Sequence, residues 1–92
     1  MKFKLFKGIR FGNAYAVQTG DYAGQMFIFI HKKGESYEFL STPLMENRIV
    51  PISEFDFALE NGIIEYVKRV PRYVRNIARL KFQENSRSFS IT

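Results

Sequence analysis

Apolar residues alternate with polar or small ones over most of the first seventy positions, and past Pro71 the spacing becomes helical. Phe3, Leu5, Ile9 and Phe11 sit among Lys2, Lys4, Lys7 and Arg10 with a period of two broken at Gly8, which predicts a strand or an extended arm. Asn13 opens a second extended run over 14–19 that stops at a loop, 20–24, beginning and ending with glycine. Residues 25–31 (QMFIFIH) read as the strongest strand, β-branched and aromatic throughout. A short turn at 32–35 and a return over 36–41 predict a hairpin. Pro43 and Pro51 bracket residues 44–50, which read as a loop with a short edge strand.

Residues 52–60 carry two patterns at once. Ser53 can cap a helical turn, yet Phe55, Phe57 and Leu59 alternate as in a strand, and Asn61-Gly62 is a hairpin-turn signal. The preferred expectation is a strand that pairs across Asn61-Gly62 with another at 63–70. Pro71 suits the first position of a helix, because its missing N–H has no partner there in any case. Over 72–84 the spacing puts Tyr73, Val74, Ile77 and Leu80 on one side, expected to dock on the strands. Arg72, Arg75, Asn76, Arg79 and Gln83 share another side, expected to face out. The helix is expected to end near Asn85, leaving 86–92 as a tail. The organisation is one domain, 1–92: a mainly β body over 1–70 arranged as a small barrel, then a helix over 71–85.

A chain of 92 residues has surface for only one modest core, and 46% hydrophobic residues with ten Phe and five Tyr describe a folded protein. No cysteine is present, so disulfides, thiolate chemistry and cysteine zinc sites are excluded. No apolar run reaches the length of a signal peptide or a membrane span, so the expected location is the cytoplasm, away from membranes. Charge is unevenly spread. Residues 67–92 hold seven Lys/Arg against Glu84 alone, whereas 1–66 hold seven basic and eight acidic residues. Such a field attracts phosphate or acidic protein surfaces.

Tyr15-Ala-Val17-Gln-Thr-Gly20-Asp-Tyr22-Ala-Gly24, followed by the apolar run Phe27-Ile-Phe-Ile30, resembles a KOW motif, the strand–loop–strand element of small SH3-like barrels. The resemblance spans residues 15–30. It implies an SH3-like five-stranded barrel that binds RNA, DNA or protein. Read without it, Gly20 and Gly24 supply the backbone freedom for a tight reversal between two strands.

Arg72, Arg75 and Arg79, at i, i+3 and i+7 with Lys68 and Arg69 just upstream, are candidates to track a phosphate backbone. Lys2, Lys4, Lys7 and Arg10 form a second basic group, with Lys2 and Lys4 on one face of the first run, and it merges with the helix group into one groove if the run neighbours the helix. Otherwise they guard a strand edge. Tyr22, in the glycine-flanked loop, is the best candidate to stack on a base, ahead of Tyr37; Tyr73 is expected in the core. Against all this stand six acids within 37–65, which can cover the basic face. His31 is the sole histidine, so multi-histidine metal sites are excluded. Glu54, Asp56 and Glu60 do not converge as metal ligands, and no phosphate-loop motif occurs. No cofactor is expected. The expected function is non-enzymatic nucleic-acid binding, with RNA favoured. The alternative is a regulatory protein-interaction module docking on an acidic surface, which requires an exposed apolar patch such as Leu44, Met45 and Ile49. A small RNA-cutting toxin of the RelE type is the one catalytic form the size and charge allow, although those proteins begin with helices.

Overall fold

The computed structural model describes the backbone of residues 9–91 and the side chains of residues 9–85; Lys2 and Lys4 lie outside the described residues. Five strands, β1 (Asn13–Val17), β2 (Met26–Lys33), β3 (Ser36–Thr42), β4 (Glu46–Pro51) and β5 (Ile64–Arg69), make one antiparallel sheet in the order β4-β3-β2-β1-β5. Helix α1 (Ile52–Glu60) joins β4 to β5, and α2 (Arg72–Ile91) follows β5. The expected five strands and C-terminal helix are present, and residues 46–51 are indeed an edge strand. The sheet is open, not a closed barrel: β4 and β5 form no ladder with each other among the described residues. Helix α1 stands between these two edges. A cleft of about 390 Å³ lined by Arg48 and Val50 of β4, Phe55 and Ala58 of α1, and Ile64 of β5 marks where they approach.

Side-chain alternation divides the interior into two cores, one on each face of the sheet. Tyr15, Val17, Phe27, Phe29, Phe39 and Ile64 gather on one face with Phe55 from α1. Ala14, Ile28 and Leu40 gather on the other with Val70 and with Ala78 from α2. Aromatic rings dominate the first core. Phe55 stacks on Phe39 at 5.4 Å and meets the edges of Tyr15 and Tyr37 at 5.1 and 5.3 Å. A bulge in β2 between Phe29 and His31 brings His31 to the α2 side, where it lies opposite Glu38 and edge-on to Phe82.

Residues 52–60 are a helix, which corrects the expected hairpin. Phe55, Ala58 and Leu59, at i, i+3 and i+4, pack on the first core, while Phe57 points to solvent. Asn61-Gly62 is a helix stop. Gly62 takes φ +71°, its N–H bonds to Leu59 O at 3.4 Å, and Ile63 N–H bonds to Ala58 O at 3.0 Å. This pair of bonds is a Schellman cap, for which Asn-Gly is as well suited as for a tight hairpin.

Helix α2 is turned from its expected orientation. Tyr73 (68% exposed), Ile77 (54%) and Leu80 (62%) face solvent, and Ala78, fully buried, faces the sheet. The docked row is Val70, Val74, Ala78 and Phe82, spaced by four, a rotation of roughly 100° about the helix axis. Val70, the residue after β5, is buried in the second core, and it fixes which row continues along the sheet. The helix also runs past Asn85, the expected stop. Asn85 Nδ2 donates to Met45 O (3.1 Å) and Asn47 Oδ1 (2.9 Å), tying α2 to the start of β4.

Candidate nucleic-acid interface

The basic residues meet at the corner where β1 begins, β5 ends and α2 starts. Gly12, at φ +93°, is the pivot. Its N–H donates to Phe29 O and its carbonyl accepts from Val70 N–H, both at 2.9 Å, so the chain before β1 lies against the entry to α2. The Arg75 stem rests on this glycine, where an added Cβ would fall 2.8 Å from Arg75 Cγ. Arg75 Nη1 then donates to Val70 O at 2.7 Å. Arg69, opposite Asn13 in the ladder, donates from Nε to Phe11 O at 2.9 Å. The Arg79 guanidinium lies over the Phe11 ring, 4.5 Å from its centroid.

These contacts use the stems and single N–H groups of the arginines and leave their charges uncompensated. The ion pairs among the described residues are His31–Glu38, Arg48–Glu46 (2.9 Å) and Lys81–Glu84 (3.6 Å). None involves Arg10, Lys68, Arg69, Arg72, Arg75 or Arg79. Desolvation, reinforced by the like charges of Arg75 and Arg10, lowers the Arg69 pKa from the ordinary arginine value. The group nonetheless stays charged at neutral pH. An anion placed here relieves that repulsion, and the free N–H groups suit phosphate oxygens.

No protein-family model matches this chain, and no curated protein or solved structure matches it either.

The acids do not cover the cluster. Glu54, Asp56 and Glu60 belong to α1, on the face of the sheet opposite α2. Burial, then the neighbouring Glu60 carboxylate, raises the Asp56 pKa above the usual aspartate value; burial, then Asp56, raises that of Tyr37. Glu38 and Glu46 are held by His31 and Arg48, and Glu65 accepts from Gln18 Nε2 at 3.4 Å. The fold thus separates an acidic helix from a basic one.

Of the candidate residues, Lys68, Arg69, Arg72, Arg75 and Arg79 come together on α2 and the end of β5. Arg75 is half-buried, so it does not share the outward position expected for it. Tyr22 lies elsewhere. It sits in the β1–β2 loop, beyond the far end of β1, and β1 alone is about 17 Å long. There it packs near Phe27 and lies under the Arg48 guanidinium, 4.8 Å from the ring centroid. Tyr37 belongs to the aromatic core. The expectation that Arg10 joins the helix arginines if the first run neighbours the helix is met, whereas the parts played by Phe11 and Gly12 were not foreseen. The available signal was a glycine interrupting an otherwise apolar–basic run just before β1. Among the described residues, no three His, Cys, Asp or Glu side chains group as metal ligands, and no helix is long and apolar enough to cross a membrane.

Proposed function

We propose that this chain is a non-enzymatic module that binds nucleic acid through the phosphate backbone. Arg10, Lys68, Arg69, Arg75 and Arg79 form the contact surface. The observation that carries the reading is the convergence of Arg10, Arg69 and Arg75 without an acidic partner among the described residues. Phosphate contacts of this kind position a ligand and carry no sequence information, so binding is indifferent to sequence. The antiparallel β1–loop–β2 unit agrees with the KOW-like resemblance and supports RNA as the partner. The strand order, with both edges lining one cleft, supports reading the sheet as an opened SH3-like barrel.

The test is titration of nuclease-treated protein with single-stranded RNA and with duplex DNA at several salt concentrations. Arg10 and Lys68 are exposed and make no side-chain hydrogen bond among the described residues, so Arg10→Gln and Lys68→Gln leave the fold intact. Each is expected to lower the slope of log affinity against log salt by about 1 and to weaken all sequences alike. Absence of binding at low salt, or binding insensitive to both salt and these substitutions, refutes the proposal. The alternative of a protein-docking module gains a specific observation in its favour, the solvent-facing Tyr73, Ile77 and Leu80.

A further inference from the structure

The outward surface of α2 has the form of a receptor for another helix. Tyr73, Asn76, Ile77 and Leu80 stand at i, i+3, i+4 and i+7, the four positions that enclose a hole for a knob on a facing helix. All four are exposed. Arg72 and Arg79, which have no acidic partner among the described residues, border one flank of the hole, and on the other Lys81 is paired with Glu84 at 3.6 Å.

The matching knob is on the opposite face of the same molecule. Phe57 of α1 is 60% exposed, though its neighbour Phe55 is buried. Glu54 and Glu60, three residues before and after it, lie about 60° to either side around the helix. Both are exposed, and neither is ion-paired among the described residues. A phenyl ring between two carboxylates thus faces away from one side of the sheet, and a hole flanked by Arg72 and Arg79 faces away from the other.

We propose that α1 of one copy docks on α2 of a second copy, with Phe57 entering the hole of Tyr73, Asn76, Ile77 and Leu80. The carboxylates of Glu54 and Glu60 then lie beside the cations on its flanks. The α1–α2 contact is heterologous, head to tail, and each added copy again presents one free knob and one free hole. Small in area, it belongs to the weak, transient class and responds to concentration and salt. Arg79 is shared with the proposed phosphate-contact surface, whereas Arg10, Lys68, Arg69 and Arg75 take no part in the docking, so the Arg10→Gln and Lys68→Gln titrations test the nucleic-acid reading separately.

Sedimentation velocity of nuclease-treated protein, from about 10 μM to about 1 mM at low and high salt, tests it without an outside partner. Wild type is expected to associate progressively at low salt and to dissociate at high salt. Two charge-reversed proteins isolate the two faces: Arg72→Glu with Arg79→Glu, and Glu54→Lys with Glu60→Lys. Each alone opposes like charges and is expected to associate at least tenfold more weakly. Their equimolar mixture restores association, since each reversed face then meets its complement. Every altered side chain is exposed, and thermal melts by circular dichroism confirm that each variant is folded. A wild type that stays monomeric at 1 mM overturns the proposal. So do reversed variants that associate as wild type does, or a mixture no stronger than its components.

Discussion

Replacing Gly12 by alanine tests how the basic corner is held together. Two costs arise at this position. The backbone takes φ +93°, where an L-residue is strained by about 1–2 kcal/mol. The new methyl also occupies space held by the Arg75 stem, lying 2.8 Å from Cγ, so the side chain must leave. Its departure breaks the 2.7 Å hydrogen bond from Nη1 to Val70 O. A bond from a charged donor is worth about 1.5–3 kcal/mol. Gly12→Ala is therefore expected to cost about 3–4 kcal/mol, a large share of the roughly 5–15 kcal/mol available to a small domain. In an Arg75→Ala background the methyl meets only the Arg69 stem, at an ordinary contact distance of 3.6 Å, and only the backbone strain remains. The double-mutant cycle should then show a coupling of about 1.5–2 kcal/mol, read from urea unfolding by circular dichroism with linear extrapolation. Costs that add to within about 0.5 kcal/mol would show that Arg75 does not rest on Gly12, and the geometry of the corner would be wrong.

Phe55→Ala should destabilise by about 3–5 kcal/mol in the same assay, because the ring is buried against Phe39, Tyr15 and Tyr37. Phe57→Ala should change stability by less than about 0.5 kcal/mol, whereas a strand over 52–60 would place both rings on one face and make the two losses alike. Asp56→Asn should stabilise the protein slightly at neutral pH, by about 0.3 kcal/mol, since burial and Glu60 disfavour its charged form. The sign follows from the raised folded-state pKa: the penalty is present above that pKa and vanishes once the carboxyl is protonated below the unfolded value near 3.8. Melting temperatures of wild type and variant should therefore converge as pH falls toward 3.

The strands were legible because their signals were redundant. Residues 27–31 are β-branched or aromatic, 34–35 contain a glycine turn, and 36–42 return to pair with the first run. The region 52–60 was misread because Phe55-Asp-Phe57-Ala-Leu59 satisfies both periods. The deciding contact, Phe55 on Phe39, joins positions sixteen apart and has no local signature. Of the site, the crowding of Arg69, Arg72, Arg75 and Arg79 was visible in the charge distribution. That Arg10 joins them was expected only if the first run neighbours the helix, and this depends on Gly12 carrying the chain to the start of α2 through hydrogen bonds to Phe29 and Val70. That the acids stand clear of the cluster could be known only after α1 was placed on the opposite face.

Helix α2 carries two apolar rows, Tyr73, Ile77 and Leu80 on one side and Val74, Ala78 and Phe82 on the other, and hydrophobicity alone does not choose between them. The choice is made before the helix begins. Val70 is anchored in the sheet by its N–H to Gly12 O, and Pro71 follows at once, so the chain has no slack in which to rotate. The row continuing Val70 must then face the sheet. Ala78 makes this favourable, because a methyl lets the helix axis approach Ala14, Ile28 and Leu40 closely, leaving Phe82 to fill the wider end near His31. Asn85 locks the far end of the same row to Met45 and Asn47. Three large apolar side chains are thus left in water on a rigid support, next to Arg72 and Arg79, which have no acidic partner among the described residues. Folding gains nothing from that arrangement, whereas a partner bearing an apolar knob between carboxylates recovers both the apolar burial and the charge.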